Sequence, residues 1–131
     1  MAEADIEAAD LSQAPLTVYG DGSQTRDFIF VEDLIRAVRL AAVREGIGGE
    51  LFQIATSRET SVREMVEQLV PLLEFARLAP VVRYANPRQG DVQRSYSDTT
   101  KARRMLGWSA EVALHEGLKR TVDWFIGAKA A

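Results

Sequence analysis

Two arginines carry the most suggestive chemistry in this sequence, and each stands near a carboxylate. Arg26 follows a glycine-containing turn and precedes an apolar run, so its guanidinium can extend from a rigid edge. Arg88 lies in a Pro-Arg-Gln-Gly-Asp loop that ends at Asp91. A planar guanidinium suits phosphate recognition, and an aspartate can accept hydrogen bonds from sugar hydroxyls. Taken one at a time, an Arg26–Asp27 surface pair and a solvated Arg88 explain the same patterns.

The glycines before Arg26 do not predict a dinucleotide site. Gly20 and Gly22 are two-thirds of a Gly-x-Gly-x-x-Gly pattern, but Thr25 occupies the third position. The pair also lies between two strand-like runs, whereas a dinucleotide loop joins a strand to a helix. The glycines therefore predict a turn, because glycine reaches positive φ without steric cost.

The sequence does not supply the residues and spacings that other common catalytic sites require. His115 is the only histidine and lies in a predicted helix, so the sequence does not predict a Ser-His-Asp triad. Tyr96 and Lys101 are five residues apart, which misses the spacing of a Tyr-x-x-x-Lys pair by one. The acidic residues form no metal-like cluster with histidine, and there is no cysteine to serve as nucleophile or thiolate ligand.

Composition indicates a globular domain. The chain has 131 residues, of which 47% are hydrophobic and 27% charged, and its net charge is −3. No basic stripe favours nucleic acid, and the apolar runs are far too short to span a membrane. The first fifteen residues are acidic and do not resemble a signal or transit peptide. We therefore expect a cytoplasmic protein that binds neither nucleic acid nor membrane.

The elements that must position these side chains are short strands and helices. β-Branched and aromatic runs predict strands at 16–19, 28–31, 51–55 and 81–84, with the first two forming a hairpin. Apolar periodicity and capping residues predict helices at 33–45, 62–70, 98–106 and 114–126. Residues 6–11 predict a short helix within an N-terminal segment, 1–15, that precedes a single lobe, 16–131. The fold class is mixed α/β, a small sheet of short strands with four helices.

Two of these helix predictions depend on particular residues. In the first helix Leu34, Ile35 and Val38 fall on one stripe, which is expected to face the core. Pro71 lacks an N–H and is expected to end or kink the second helix near Val70.

Four stretches in this order resemble the C-terminal part of extended short-chain dehydrogenase/reductases, the epimerases and dehydratases of nucleotide sugars. They are PLTVYGDGSQTRDFIFVEDLIRAV, GELFQIATSRETSVREMVEQL, NPRQGDVQRSYSDTTKARRMLGW and LHEGLKRTVDWF. The resemblance covers about residues 6 to 126. It implies that Arg26 and Arg88 contact the diphosphate of a UDP- or dTDP-sugar, that Asp91 lies near the ribose, and that Tyr19 lies beside the nucleotide.

The family's N-terminal half, which binds NAD(P) and supplies the Tyr-x-x-x-Lys pair, has no counterpart in this sequence. The resemblance therefore implies no cofactor site in this chain and no catalysis by the chain alone. We also expect self-association, because the 51–55 strand would lack its neighbours in the family's large sheet.

Three functions follow from the resemblance. The first is an isolated nucleotide-sugar-binding lobe. The second is an interaction module that pairs with itself or with a separate Rossmann-type chain, and the third is an inactive truncated relic.

Overall fold

The computed structural model describes residues 15–129 and contains two small two-stranded sheets. Strand β1, Leu16–Tyr19, pairs in parallel with β4, Val82–Ala85. Strand β2, Thr25–Arg26, pairs antiparallel with β3, Thr60–Ser61. Both sheets therefore join segments that are distant in the sequence. The predicted N-terminal helix lies outside the described residues.

Four helices complete the described part of the chain, as expected for a mixed α/β fold. They are α1, Val31–Val43, α2, Val62–Phe75, α3, Thr100–Leu106, and α4, Leu114–Lys129. The Ser61 side chain accepts a hydrogen bond from the Glu64 N–H at 3.0 Å, which confirms the predicted cap of α2. Gly107 ends α3 with φ +66°, a left-handed conformation that glycine adopts readily.

The predicted hairpin is wrong. Residues 28–30 form no strand, and Val31 already begins α1. Phe30 instead packs against α4, where a Cβ built on Gly117 would lie 3.1 Å from the Phe30 ring. Packing between distant elements has overridden the local strand propensity of this aromatic run.

The predicted strand at 51–55 is also absent from the described structure, where the segment is irregular. Phe52 and Ile54 pack against the core, and Ala55 is buried, whereas Leu51 is largely exposed. Much of the apolar content that predicted a strand is thus used in packing within the chain.

Helix α2 continues through Pro71 to Phe75, so the predicted end near Val70 is wrong. Leu72 and Leu73 are partly buried, and α2 lies against α4. This packing maintains the helix past a residue that cannot donate to the preceding turn.

Trp108 is fully buried and occupies the centre of the core cluster, together with Ala37, Ala102 and Leu106. The Trp108 indole N–H donates to the backbone carbonyl of Asp33 at 2.9 Å. Helix α1 therefore turns Asp33 and Ala37 inward. The face with Leu34, Ile35 and Val38 is exposed, opposite to the orientation that the apolar stripe predicts.

Candidate functional site

Arg26 joins β2 to the loop that contains Asp91. One terminal nitrogen of Arg26 donates to the backbone carbonyls of Thr25 at 2.7 Å and Val92 at 2.5 Å. The other lies 2.6 Å from a carboxylate oxygen of Asp91. These contacts fix the guanidinium at the surface of the loop while leaving about a third of its side chain exposed.

Asp27 does not pair with Arg26, so the surface pair considered from the sequence is absent. Its Oδ1 accepts hydrogen bonds from the backbone N–H of Thr56 at 2.8 Å and from the Thr56 hydroxyl at 2.5 Å. Asp27 thus anchors the backbone next to Arg26 to a distant loop, which leaves Arg26 directed towards Asp91.

Arg88 and Tyr19 form the second contact of the site. The central guanidinium carbon of Arg88 lies 3.8 Å from the centroid of the Tyr19 ring, close enough for stacking. The Asp91 backbone N–H donates to the Arg88 carbonyl at 3.3 Å, which closes a turn between these residues. The loop is therefore held to β1 by Arg88 and to β2 by Arg26.

Two of the four predicted residues, Tyr19 and Asp91, line one cavity of about 600 Å³. Arg88 contacts Tyr19 and Arg26 contacts Asp91, although neither arginine lines the cavity itself. The full lining consists of Tyr19, Gly20, Asp21, Gln24, Arg63, Tyr84, Ala85, Pro87, Asp91 and Gln93. The structure thus brings together the residues that the resemblance selected.

Sequence reasoning missed most residues of this cavity, among them Gln24, Arg63 and Tyr84. Gln24 is buried and donates from its amide to the Tyr19 carbonyl at 2.8 Å. Arg63 donates to the Asp21 carbonyl at 2.6 Å, and Tyr84 is brought beside β1 by the parallel pairing of β1 with β4. Arg63 and Tyr84 reach the cavity only through long-range contacts, which no local pattern indicates, whereas Gln24 contacts Tyr19 within the same turn.

The turn between β1 and β2 carries an acid whose charge is stabilised locally. The Ser23 side chain and the Ser23 backbone N–H, which lies 2.9 Å from Oδ1, hold the pKa of Asp21 below its usual value. Asp21 is therefore charged at neutral pH. The cavity wall therefore carries the carboxylates of Asp21 and Asp91 together with the guanidinium of Arg63.

This turn does not fit the phosphate groups of a dinucleotide. Gly20 and Gly22 have φ of +73° and +77°, as a turn between strands requires. A Cβ on Gly22 would lie 3.2 Å from the Cβ of Arg63 and 3.3 Å from a methyl group of Val18. Gly22 is buried against other residues of the chain, so packing explains why a residue without a side chain is needed here. The same packing leaves no space for a pyrophosphate group at Gly22.

Tyr96 and Lys101, the near-match to a Tyr-x-x-x-Lys pair, have different contact partners. Lys101 pairs with Glu50 at 2.5 Å and lies over the Phe52 ring, while Tyr96 lies beside Arg94.

Residues 15–129 contain no group of three or more side chains suited to a metal ion. No helix in that range is long and apolar enough to cross a membrane. At the cavity, the guanidinium groups of Arg26 and Arg88 lie against a carboxylate and an aromatic ring of the wall.

A family model described as GDP-mannose 4,6 dehydratase matches residues 4–121. The UDP-glucose 4-epimerase of Mycolicibacterium smegmatis is 41% identical over 109 residues, which are 82% of this chain and 33% of that protein. The dTDP-glucose 4,6-dehydratase of Neisseria gonorrhoeae is 38% identical over 128 residues, covering 91% of this chain and 37% of that protein.

Solved structures give the same result. The crystal structure of UDP-glucose 4-epimerase from Thermotoga maritima with UDP-glucose superposes with a TM-score of 0.78 at 38% identity, over 91% of this chain and 37% of that one. The chain thus spans about a third of the length of these relatives. By sequence and by fold it belongs to the GDP-mannose 4,6 dehydratase family, the extended short-chain dehydrogenase/reductase epimerases and dehydratases.

Proposed function

We propose that this chain binds the nucleotide and diphosphate of a UDP- or dTDP-sugar in the cavity beside Tyr19 and Asp91. Arg26 and Arg88 provide the positive charge for the diphosphate, and Asp91 accepts a hydrogen bond from the ribose. Tyr19 packs beside the nucleotide.

One observation carries the proposal: two guanidinium groups from distant parts of the chain flank the same loop. Arg26 reaches Asp91 from β2, and Arg88 precedes Asp91 by three residues and lies on the Tyr19 ring. Charge-assisted hydrogen bonds from arginine to phosphate are about twice as strong as neutral ones. The cavity volume of about 600 Å³ is within the range of small-molecule sites.

The relatives add support for the ligand class. The Thermotoga maritima epimerase was crystallised with UDP-glucose, and the Neisseria gonorrhoeae relative is named for a dTDP-sugar. In our proposal this chain supplies substrate binding. The NAD(P)-dependent chemistry requires the two-thirds of an epimerase-type fold that this chain does not span. A cytoplasmic location stays a prediction from the sequence.

Isothermal titration with UDP, UDP-glucose, dTDP-glucose and GDP-mannose tests the proposal, with NAD as a negative control. Arg26→Ala and Arg88→Ala should each raise the Kd for the preferred ligand about tenfold or more, since each removes a charge-assisted hydrogen bond to phosphate. Arg104→Ala is the matched control, because α3 contributes no residue to the cavity.

Melting curves establish that the variants fold. Unchanged affinity in both arginine variants, or no binding of any nucleotide by the folded wild-type chain, would refute this function.

A further inference from the structure

The loop at residues 86–94 carries both Arg88 and Asp91, and a salt bridge holds its far end. Arg94 lies three residues after Asp91. Its Nε donates to Oε1 of Glu59 at 2.7 Å, and a terminal nitrogen donates to Oε2 at 2.7 Å. One guanidinium thus binds both oxygens of one carboxylate, the planar arrangement that makes such pairs strong and directional.

Glu59 is in turn fixed to the strands that carry Arg26. Its Oε1 also accepts the Thr25 hydroxyl at 2.5 Å. Glu59 directly precedes β3, where the buried Thr60 pairs with Arg26. The Glu59 side chain is 25% exposed. The carboxylate is therefore a fixed point of the β2–β3 sheet to which the loop can attach.

Contacts with β2 follow one another along the last part of the loop. Asp91 binds one terminal nitrogen of Arg26, and the Val92 carbonyl accepts a hydrogen bond from the other. The Gln93 carbonyl then accepts the Thr25 N–H at 2.8 Å. The salt bridge at the end of the loop completes this series, so it holds the backbone that presents Asp91 to Arg26.

The first part of the loop spans two anchors. The β1–β4 ladder ends where the Ala85 carbonyl accepts the Gly20 N–H at 2.9 Å, and the contacts with β2 begin at Asp91. Residues 86–90, which include Arg88, are exposed between these points. A segment fixed at both ends has fewer conformations than one with a loose end. Releasing the second anchor should therefore let Arg88 and Asp91 occupy more positions.

We propose that Glu59 is a positioning residue of the nucleotide-sugar site. Through Arg94 it keeps the loop against β2, and it thereby keeps Arg88 and Asp91 in place for the ligand. Neither member of the salt bridge lines the cavity, so both act through the loop. The loop lies outside the core cluster that the structure describes, so its release should not unfold the chain. The inference rests on the proposed function.

The alternative is a surface ion pair without functional consequence, since the Arg94 side chain is 69% exposed and exposed pairs usually contribute little. The bidentate geometry and the shared Thr25 hydroxyl distinguish this pair. Arg58 and Glu64 form an ordinary pair for comparison. Their contact joins one nitrogen to one oxygen at 3.2 Å, and their side chains are 70% and 40% exposed.

Titration calorimetry with UDP-glucose tests the proposal. Glu59→Gln replaces a carboxylate oxygen by an NH2 group that cannot accept from Arg94, and it should raise the Kd about fivefold. Arg94→Ala should have the same effect. The double variant should bind as well as either single variant, because both changes remove one interaction. Glu64→Gln, the same change in the comparison pair, should leave the Kd within about twofold of the wild type.

Amide hydrogen exchange reports on the loop without any ligand. The Thr25 N–H donates to the Gln93 carbonyl of the loop. Its exchange should be about fivefold faster or more in Glu59→Gln and Arg94→Ala, because the loop leaves β2 more often. Glu64→Gln should keep the wild-type rate. Melting curves establish that each variant folds.

Three results would overturn the inference. They are an unchanged UDP-glucose Kd in Glu59→Gln, losses that add in the double variant, and an unchanged Thr25 exchange rate in both single variants. Absence of nucleotide binding by the folded wild-type chain would instead overturn the proposed function, and this role in binding with it. The wild-type titration reveals that outcome before any variant is compared.

Discussion

The guanidinium of Arg26 lies 2.6 Å from the carboxylate of Asp91, although the two residues are 65 positions apart. The contact holds the loop of Arg88 against β2 and partly neutralises Arg26. Any diphosphate that binds Arg26 must therefore compete with a carboxylate already in place. The Arg26 guanidinium is thus held in position, but Asp91 already neutralises part of its charge.

Asp91→Asn should consequently tighten the binding of inorganic pyrophosphate. The substitution removes a competing negative charge, and Arg26 keeps its position through the Val92 carbonyl. For a partly exposed pair the expected gain is up to about fivefold in Kd, measured by titration calorimetry. UDP-glucose should gain less, since our proposal gives Asp91 a ribose contact. Pyrophosphate binding that weakens in Asp91→Asn would contradict the competition.

Asp33→Ala should lower the free energy of unfolding by about 3 kcal/mol, because it leaves two partly buried N–H groups and Arg36 without their acceptor. Urea unfolding measures the loss. Asp33→Asn, which keeps one acceptor oxygen, should lose less. Asp123→Ala breaks only an exposed pair with Lys119 and should change stability by less than about 1 kcal/mol. An Asp33→Ala variant as stable as the wild type would show that the carboxylate does not hold α1.

The same carboxylate predicts a loss of stability in acid. Burial disfavours its charged form, but hydrogen bonds from the Val112 N–H, Arg36 and the Glu111 N–H outweigh burial and lower the pKa of Asp33. A lowered folded-state pKa contributes stability that is present above the usual aspartate value, about 4, and is lost as the pH falls below it. Urea unfolding from pH 6 to pH 2 should show this loss in the wild type and a shallower loss in Asp33→Asn. Parallel profiles would contradict the assignment.

Glu59 should titrate far below an ordinary glutamate. Its carboxylate accepts two hydrogen bonds from Arg94, each 2.7 Å, and one from the Thr25 hydroxyl at 2.5 Å. These bonds lower the pKa of Glu59 from 4.5 to about 2. The stability linked to Glu59 is thus present above pH 4.5 and is lost as the pH falls towards 2.

Carboxyl-detected NMR titration measures this pKa directly. Arg94→Ala should raise it towards the usual value, and Thr25→Val should raise it less. Arg58→Ala, which removes an exposed pair with Glu64, is the control and should leave it unchanged. A wild-type Glu59 that titrates near 4.5 would mean that the bidentate pair does not persist in solution.

Pro71→Ala should stabilise the chain by about 1 kcal/mol or more. Helix α2 runs through Pro71, where the ring cannot donate a hydrogen bond and crowds the preceding turn. Thermal unfolding measures the gain, with the exposed Glu74→Ala as a helix-surface control. A melting temperature that falls in Pro71→Ala would indicate that α2 requires the proline at this position.

Local patterns were sufficient for much of the fold. The strand at Leu16–Tyr19, the Ser61 cap of α2 and the Gly107 end of α3 all follow from residue type and short-range geometry. Neighbours in the chain determine such features, so a single sequence can predict them. Motif order was sufficient for the family, and the roles of Tyr19, Arg26, Arg88 and Asp91 stay predictions from that resemblance.

Packing between distant segments decided the rest. It replaced the hairpin at Phe28–Val31 with a pairing of Arg26 and Thr60, and it kept α2 helical beyond Pro71. It also turned Asp33 into the core and Leu34, Ile35 and Val38 outward. Hydrophobic periodicity shows that a helix has an apolar side. Which side faces the core depends on the hydrogen-bond partners and cavities that other segments provide, and only the tertiary structure supplies those.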